Sequence, residues 1–157
     1  MPRPNNLIEQ DLNMAPFGGG PQQVRFTLEG GLSILLYNNS GAPILKGTVV
    51  KADIANDESC VPVSAAGDLD PIGVAEHDIP TGAYGFIVVA GKAEVLIDNV
   101  GGCNREDWLG TSSTTAGYAT ASALPVPPTA AVHFQEIGHT LKARGSAGLV
   151  LAVVHFN

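Results

Sequence analysis

Short apolar runs between residues 41 and 100 constrain the fold of this chain more than any other sequence feature. Gly, Pro, Asn and Asp residues separate consecutive runs, and such closely spaced runs are typical of β-strands joined by turns. The runs are Thr48–Val50, Cys60–Val63, Ile72–Ala75, Phe86–Ala90 and Ala93–Ile97. The pattern predicts an all-β domain, built as a small antiparallel β-barrel or a β-sandwich.

The last two of these runs predict a hairpin. Gly91-Lys92 separates two runs rich in β-branched residues, and glycine accepts the positive φ that a tight turn requires. Further strands are predicted over Leu32–Tyr37, Trp108–Ser112, Gly117–Ala123, Ala131–Ile137 and Leu149–Phe156. The prolines of Leu124–Thr129 predict a rigid extended segment. The sequence shows no amphipathic helix of ten residues and no clear internal repeat.

Residues 1–31 differ from the rest and are predicted to form an extended N-terminal arm, followed by a single β-rich domain over 32–157. Several prolines and the triplet Gly18-Gly19-Gly20 disfavour both a long helix and regular strand pairing. Apolar side chains are nevertheless scattered through the arm, which predicts that it becomes ordered against another surface. The expected contact residues are Leu7, Ile8, Leu12, Phe17, Val24 and Phe26. The alternative is a floppy terminus that ends in an edge strand over Val24–Leu28.

Composition narrows the possible partners. The formal net charge is −7 at pH 7, whereas nucleic acids and anionic membrane surfaces attract basic proteins. No apolar run reaches the length of a membrane-spanning helix. We therefore expect neither a nucleic-acid partner nor a membrane. The two cysteines, Cys60 and Cys103, are expected to be buried free thiols rather than a disulfide.

No motif in the sequence nominates an active site. The histidines at 77, 133, 139 and 155 lack the close spacing of a structural zinc motif. No Gly-x-Ser-x-Gly elbow or calcium-binding loop occurs, and the glycine triplet has no Lys-Ser/Thr after it as a phosphate loop would. The sequence therefore predicts no catalytic residue, no metal site and no cofactor, and thus a protein that is not an enzyme.

A more specific pattern joins glycines and aliphatic residues. Gly47-Thr48-Val49-Val50 is followed by Ile72-Gly73-Val74-Ala75, and then by Ile79-Pro80-x-Gly82-x-x-Gly85-x-Ile87-x-Val89-x-Gly91. This pattern resembles the β-rich decoration, or cement, proteins of tailed-phage capsids, over roughly residues 46–97. The resemblance implies a structural protein without catalytic residues, on the exterior of a virion that assembles in the host cytoplasm. It also implies binding to the major capsid protein and self-association, with a homotrimer as the expected state.

An alternative function is a phage tail-fibre domain or a carbohydrate-binding β-domain. Such a domain needs exposed aromatic rings on which sugars can stack. The chain has only one Trp, three Tyr and five Phe, and most of them lie in apolar runs, so rings for stacking are scarce. The decoration function is therefore favoured over the glycan-binding one.

Overall fold

The computed structural model describes residues 23–123 and 129–156, which form ten strands and one short helix. The strands are β1 (Val24–Phe26), β2 (Gly31–Asn38), β3 (Val49–Ala52), β4 (Ser59–Pro62), β5 (Gly73–Ala75), β6 (Tyr84–Ile97), β7 (Trp108–Thr111), β8 (Ala119–Ser122), β9 (Glu136–Thr140) and β10 (Gly148–His155), and the helix is α1 (Ala130–Gln135). The all-β prediction is confirmed, and most predicted runs form a strand within a few residues of the expected position. The predicted Pro-rich segment lies largely outside the described residues.

All ten strands belong to one sheet, in the order β1-β2-β4-β3-β5-β6-β10-β9-β7-β8. Most neighbours are antiparallel, whereas β2–β4 and β6–β8 are parallel. Additional pairings of β2 and β8 with β6 fold the sheet back on this central strand. The architecture is therefore a large folded sheet. It is not a closed barrel, which was one of the two architectures that the sequence predicted.

Strand β6 corrects the predicted hairpin. The chain runs straight through Gly91-Lys92 as one strand of 14 residues, although Gly91 has the expected positive φ of 87°. The first half of β6 pairs with β2, and the second half pairs with β10. Because each half finds a different partner strand, the two runs need not pair with each other. Gly91 instead permits the close approach of Gly31, its cross-strand partner.

The segment predicted as a strand over Ala131–Ile137 is also corrected. Its first part is helix α1, and only its end belongs to β9. Thr129 is the N-cap, and its side-chain oxygen accepts a hydrogen bond from the backbone N–H of Val132 at 3.2 Å. The alternation of apolar and polar residues was too short to distinguish one helical turn from a strand. No helix in the described part of the chain is long and apolar enough to cross a membrane.

The sheet consists of two units with matching topology, which contradicts the prediction of no internal repeat. The first unit comprises β2–β5 and the first half of β6 (31–90), and the second comprises the rest of β6 with β7–β10 (91–155). Their strand registers correspond pair by pair: Val49↔Val74 matches Trp108↔His139, Val50↔Pro62 matches Leu109↔Ala121, and Val74↔Val88 matches His139↔Val153. Helix α1 lies within the second unit, before β9, and the first unit has no corresponding helix.

The turns of the two units match as well. The bridge between Ile44 and Ile79 corresponds to that between Cys103 and Arg144. Gly47, with φ 82°, corresponds to Glu106, with φ 67°, so the same left-handed position is filled by different residues. Over the matched strands and turns, identical residues are confined to two pairs. They are Ile-Gly, at 72–73 and 137–138, and Val-Val, at 88–89 and 153–154. This divergence explains why the repeat escapes notice in the sequence.

The two units bury their faces differently. The inner face of the first unit forms a small core that includes Ile44, Cys60, Ala75 and Ile79. Its outer face packs into the core of the second unit, through Val49, Val63, Val74 and Val88. A sheet buried on both faces has continuous apolar runs rather than alternation, which accounts for the adjacent, fully buried Val49 and Val50 of the first unit. The second unit buries its inner face, while its outer face carries the partly exposed His139.

Candidate functional site

Strand β1 is the open edge of the sheet. Every other strand in the described ranges has at least two neighbouring strands, because β8 at the far end of the sheet pairs back on β6. Within residues 23–123 and 129–156, strand β1 pairs with β2 alone, over three residues. An unpaired strand edge presents free N–H and C=O groups, and it is a template for pairing with another chain.

The backbone of β1 alternates between the two edges. The carbonyl of Gln23 accepts a hydrogen bond from the N–H of Leu35, and the N–H of Thr27 donates to the carbonyl of Gly31. Residues 23 and 27 thus point toward β2. In an antiparallel pair the direction reverses at each residue, so the backbone groups of Val24 and Phe26 point toward the open edge.

The side chains of β1 also divide by face. Arg25 is held against the sheet: its guanidinium lies 2.8 Å from a carboxylate oxygen of Glu76 and 3.7 Å from the ring centroid of Phe86. Val24 and Phe26 alternate with it and are 50% and 64% exposed. Leu28, in the following turn, is 95% exposed. Three exposed apolar side chains, Val24, Phe26 and Leu28, therefore lie on or next to the open edge. The contacts of Arg25 hold β1 against the sheet.

The structure places only part of the predicted docking set. Val24 and Phe26 lie on β1, as the edge-strand alternative describes. Leu7, Ile8, Leu12 and Phe17 lie outside the described residues. Leu28 was not among the predicted contact residues. It follows the edge strand and precedes Gly30 of the turn, and this position in the sequence could have indicated that it is exposed.

A second surface feature is a shallow groove beside two tyrosines. The rings of Tyr37 and Tyr84 meet edge to face, with centroids 5.2 Å apart. Asn39, Asn56 and Asp57 line the same groove. Exposed aromatic rings beside amide and carboxylate groups are the side chains that sugar-binding sites use. Tyr84 is 59% exposed, so the groove provides one of the exposed rings that the sequence predicts to be scarce.

A third feature is a cluster of histidines around one carboxylate. The Nε2 atoms of His139 and His155 lie 3.3 and 3.6 Å from the same oxygen of Glu136, and Nδ1 of His133 lies 3.9 Å from the other oxygen. The side chain of Glu136 is only 16% exposed. Three of the four histidines of the chain thus meet at one group.

Sequence spacing could not reveal this cluster. Residues three apart in a regular strand point to opposite faces, but a register shift between β7 and β9 places an extra residue at Ile137. This bulge turns Glu136 and His139 toward each other. Val153 is the cross-strand partner of His139, so His155 is its diagonal neighbour on the same face.

The two cysteines remain separate, buried thiols, as predicted. Burial raises the pKa of the Cys60 thiol to about 11, so this group stays protonated at neutral pH. Burial also raises the pKa of the Cys103 thiol. Since the thiolate is the nucleophilic form, neither side chain is suited to nucleophilic chemistry.

Comparison with known proteins identifies the fold. No family model matches the chain, and no curated protein matches its sequence. The crystal structure of the N base of the head fiber protein gp8.5 of bacteriophage phi29 is similar, with a TM-score of 0.55. The match covers 78% of this chain and 93% of that one, at 15% sequence identity. The shared feature is the fold, and at this identity the likeness extends no further.

Proposed function

We propose that this chain is a structural protein of a phage head, which binds the outer surface of the shell. The observation that carries the proposal is the fold: it matches nearly all of a domain that is the base of a head fiber in phi29. The glycine and aliphatic pattern of residues 46–97 resembles phage decoration proteins, and this independent resemblance supports the same class. The proposal gives the chain no catalytic role.

The open edge at β1 is the proposed contact surface. It combines exposed Val24, Phe26 and Leu28 with backbone groups that have no partner among the described residues. Full burial of one such side chain contributes about 1.5–3 kcal/mol, and strand addition would pair the backbone groups of Val24 and Phe26 as well. The edge is continuous with the N-terminal segment, whose scattered apolar residues were predicted to dock on a partner.

The proposed occupant is the major capsid protein, and the chain is proposed to bind it as a homotrimer. An acidic chain with few charged residues and an apolar edge is suited to a protein surface rather than to nucleic acid. The number three rests on the resemblance to decoration proteins. Light scattering of the free protein and of protein eluted from capsids measures this number directly, and a monomer in both samples would remove the trimer.

Co-sedimentation with purified capsids tests the docking surface. Phe26→Ser removes the apolar contact but keeps the backbone N–H, whereas Phe26→Pro removes an N–H that β2 does not use. If the edge accepts a strand, both variants lose retention on capsids while their thermal unfolding stays close to wild type. Ile54→Ser is the matched control, because Ile54 is fully exposed in the β3–β4 loop.

Truncation separates the arm from the edge. Deleting residues 1–20 should leave a folded domain with reduced retention on capsids. Full occupancy by the truncated form, together with loss in Phe26→Ser, would assign docking to β1 alone. Unchanged retention in every β1 and arm variant would contradict the proposed surface.

The alternative function, a glycan-binding domain of a head or tail fibre, is favoured by the Tyr37–Tyr84 groove. Tyr84→Ala should abolish binding to a glycan array if the groove is the working site, because stacking on an exposed ring supplies much of sugar affinity. Wild-type protein that binds no glycan but sediments with capsids would exclude this alternative.

A further inference from the structure

We propose that Glu136, His139 and His155 form a binding site for a divalent transition-metal ion of the zinc class. The three residues each offer one ligand atom, and these atoms all lie within 4.8 Å of one another. Two imidazole nitrogens and one carboxylate oxygen are ligands that Zn²⁺ takes in proteins, with a fourth position left for water or another group.

The distances fit a metal centre after small side-chain adjustments. Metal–ligand bonds of about 2.0–2.1 Å in a tetrahedral site place ligand atoms about 3.3–3.4 Å apart. The Glu136 oxygen lies 3.3 Å from Nε2 of His139 and 3.6 Å from Nε2 of His155. The two imidazole rings lie side by side, with centroids 5.7 Å apart. Rotation of His155, the most exposed of the three, brings its nitrogen into position.

The backbone holds two of the three ligands rigidly. His139 lies in β9 between β7 and β10, opposite both Trp108 and Val153. Its orientation relative to Glu136 is fixed by the bulge, where Gly138 adopts a φ of 150°. A side chain at Gly138 would collide with the backbone of Val153. The bulge therefore depends on a glycine, and the ligands come from a rigid sheet rather than a loop.

The charge balance of Glu136 points in the same direction. The ion pairs of this carboxylate within the described residues are all with histidines. A divalent cation between these side chains would place a positive charge directly beside this largely buried carboxylate. Two Nε2 atoms converge on one carboxylate oxygen, and this is also how ligands around a shared ion are arranged.

The first unit provides an internal comparison. Its residues at the three corresponding positions are Pro71, Val74 and Ala90. None of these can bind a metal, so the ligand set belongs to the second unit alone. The site occupies the outer face that the second unit leaves open.

Zinc titration of the untagged, chelator-treated full-length protein tests the proposal by isothermal calorimetry. We expect one Zn²⁺ per chain. His139→Ala, His155→Ala and Glu136→Gln should each weaken affinity at least tenfold. Co²⁺ provides a spectroscopic readout, because a tetrahedral site with nitrogen and oxygen ligands gives visible absorption bands that the three variants should lose.

His77→Gln is the matched control, since His77 lies outside the cluster and bonds to the backbone of Asp78 and Phe86. It should bind zinc like wild type. Far-ultraviolet circular dichroism without metal should be the same for all variants, because the cluster lies at the surface. The proposed site would be wrong if wild-type protein did not bind zinc at millimolar concentration. It would also be wrong if His77→Gln weakened zinc affinity as much as the three ligand variants do. Neither result bears on capsid docking, which involves β1.

Discussion

The two units of this protein share a strand framework but use it for different purposes. Val74 of the first unit and His139 of the second occupy the same register position, yet Val74 is fully buried and His139 is partly exposed. The difference arises because the second unit covers the outer face of the first, while its own outer face is left open. A position that is not packed against another part of the sheet can hold a polar residue, here the proposed metal ligand His139.

The turns after β2 and β6 also differ between the units, in the residues that form an equivalent side-chain contact. In the first unit, Asn39 donates a hydrogen bond to Asp53 at 2.6 Å. At the equivalent positions of the second unit, Ser112 donates to Asp98. The acceptor has moved from one side of the contact to the other, while the contact joins the same two positions of each unit. The two positions therefore need one hydrogen-bond donor and one acceptor, but not particular residue types.

The largest expected loss of stability comes from replacing the one glycine that both units retain. Gly73→Ala and Gly138→Ala should each destabilise the protein by roughly 3 kcal/mol, because the new Cβ meets the facing strand. At Gly73 it would lie 2.8 Å from the carbonyl oxygen of Val88, and at Gly138 it would meet the equivalent carbonyl of Val153. Urea unfolding measures both. Gly101→Ala is the control, since nothing lies within 4 Å of its Cβ position.

If the two units are equivalent at this position, the two losses should agree to within about 1 kcal/mol, with Gly138→Ala the larger because its φ of 150° disfavours any side chain. A near-neutral result at either glycine would mean that the facing strands can separate, and it would contradict the shared register.

A smaller effect separates the covered face from the open one. Val74→Ala removes two buried methyl groups and should cost about 2 kcal/mol in free energy of unfolding. His139→Ala, at the equivalent position, should cost less than about 0.5–1 kcal/mol in metal-free buffer, because its side chain is 36% exposed. Equal losses would show that the outer face of the second unit is as tightly packed as that of the first.

A further effect, about half that of Val74→Ala, concerns the reversed polar contact between Asp98 and Ser112. Burial by itself raises the pKa of Asp98, but hydrogen bonds from the hydroxyls of Ser112, Thr114 and Thr120 outweigh it and hold the pKa below its usual value. A carboxyl with a lowered pKa stabilises the fold above its unfolded pKa of about 3.9, and this stabilisation is lost as the pH falls through the folded value. Asp98→Asn should therefore cost about 1 kcal/mol at pH 7.

The difference between Asp98→Asn and wild type should shrink as the pH is lowered from about 5 to 3. Denaturant unfolding at several pH values in this range measures it, with Asp70→Asn at an exposed position as the control. A difference that stays constant down to pH 3 would show that the hydroxyl donors do not favour the ionised form.

Much of the strand framework could be predicted from the sequence. Cys60–Val63, Leu32–Tyr37 and Leu149–Phe156 each overlap an observed strand, because short β-branched runs between turn residues have few other stable conformations. The local pattern failed at Phe86–Ile97, where a long strand replaces the predicted hairpin. Pairing partners decide between a turn and a continuous strand, and a local run does not reveal them.

The sequence by itself thus determined the fold class, the position of most strands and the burial of both cysteines. Only the tertiary structure decided that β1 is the open edge, that two units share β6, and that Glu136, His139 and His155 converge. Each of these features depends on which distant strands become neighbours and in what register. The physical reason is that strand propensity and turn chemistry act locally, whereas sheet order and register depend on contacts far apart in the chain.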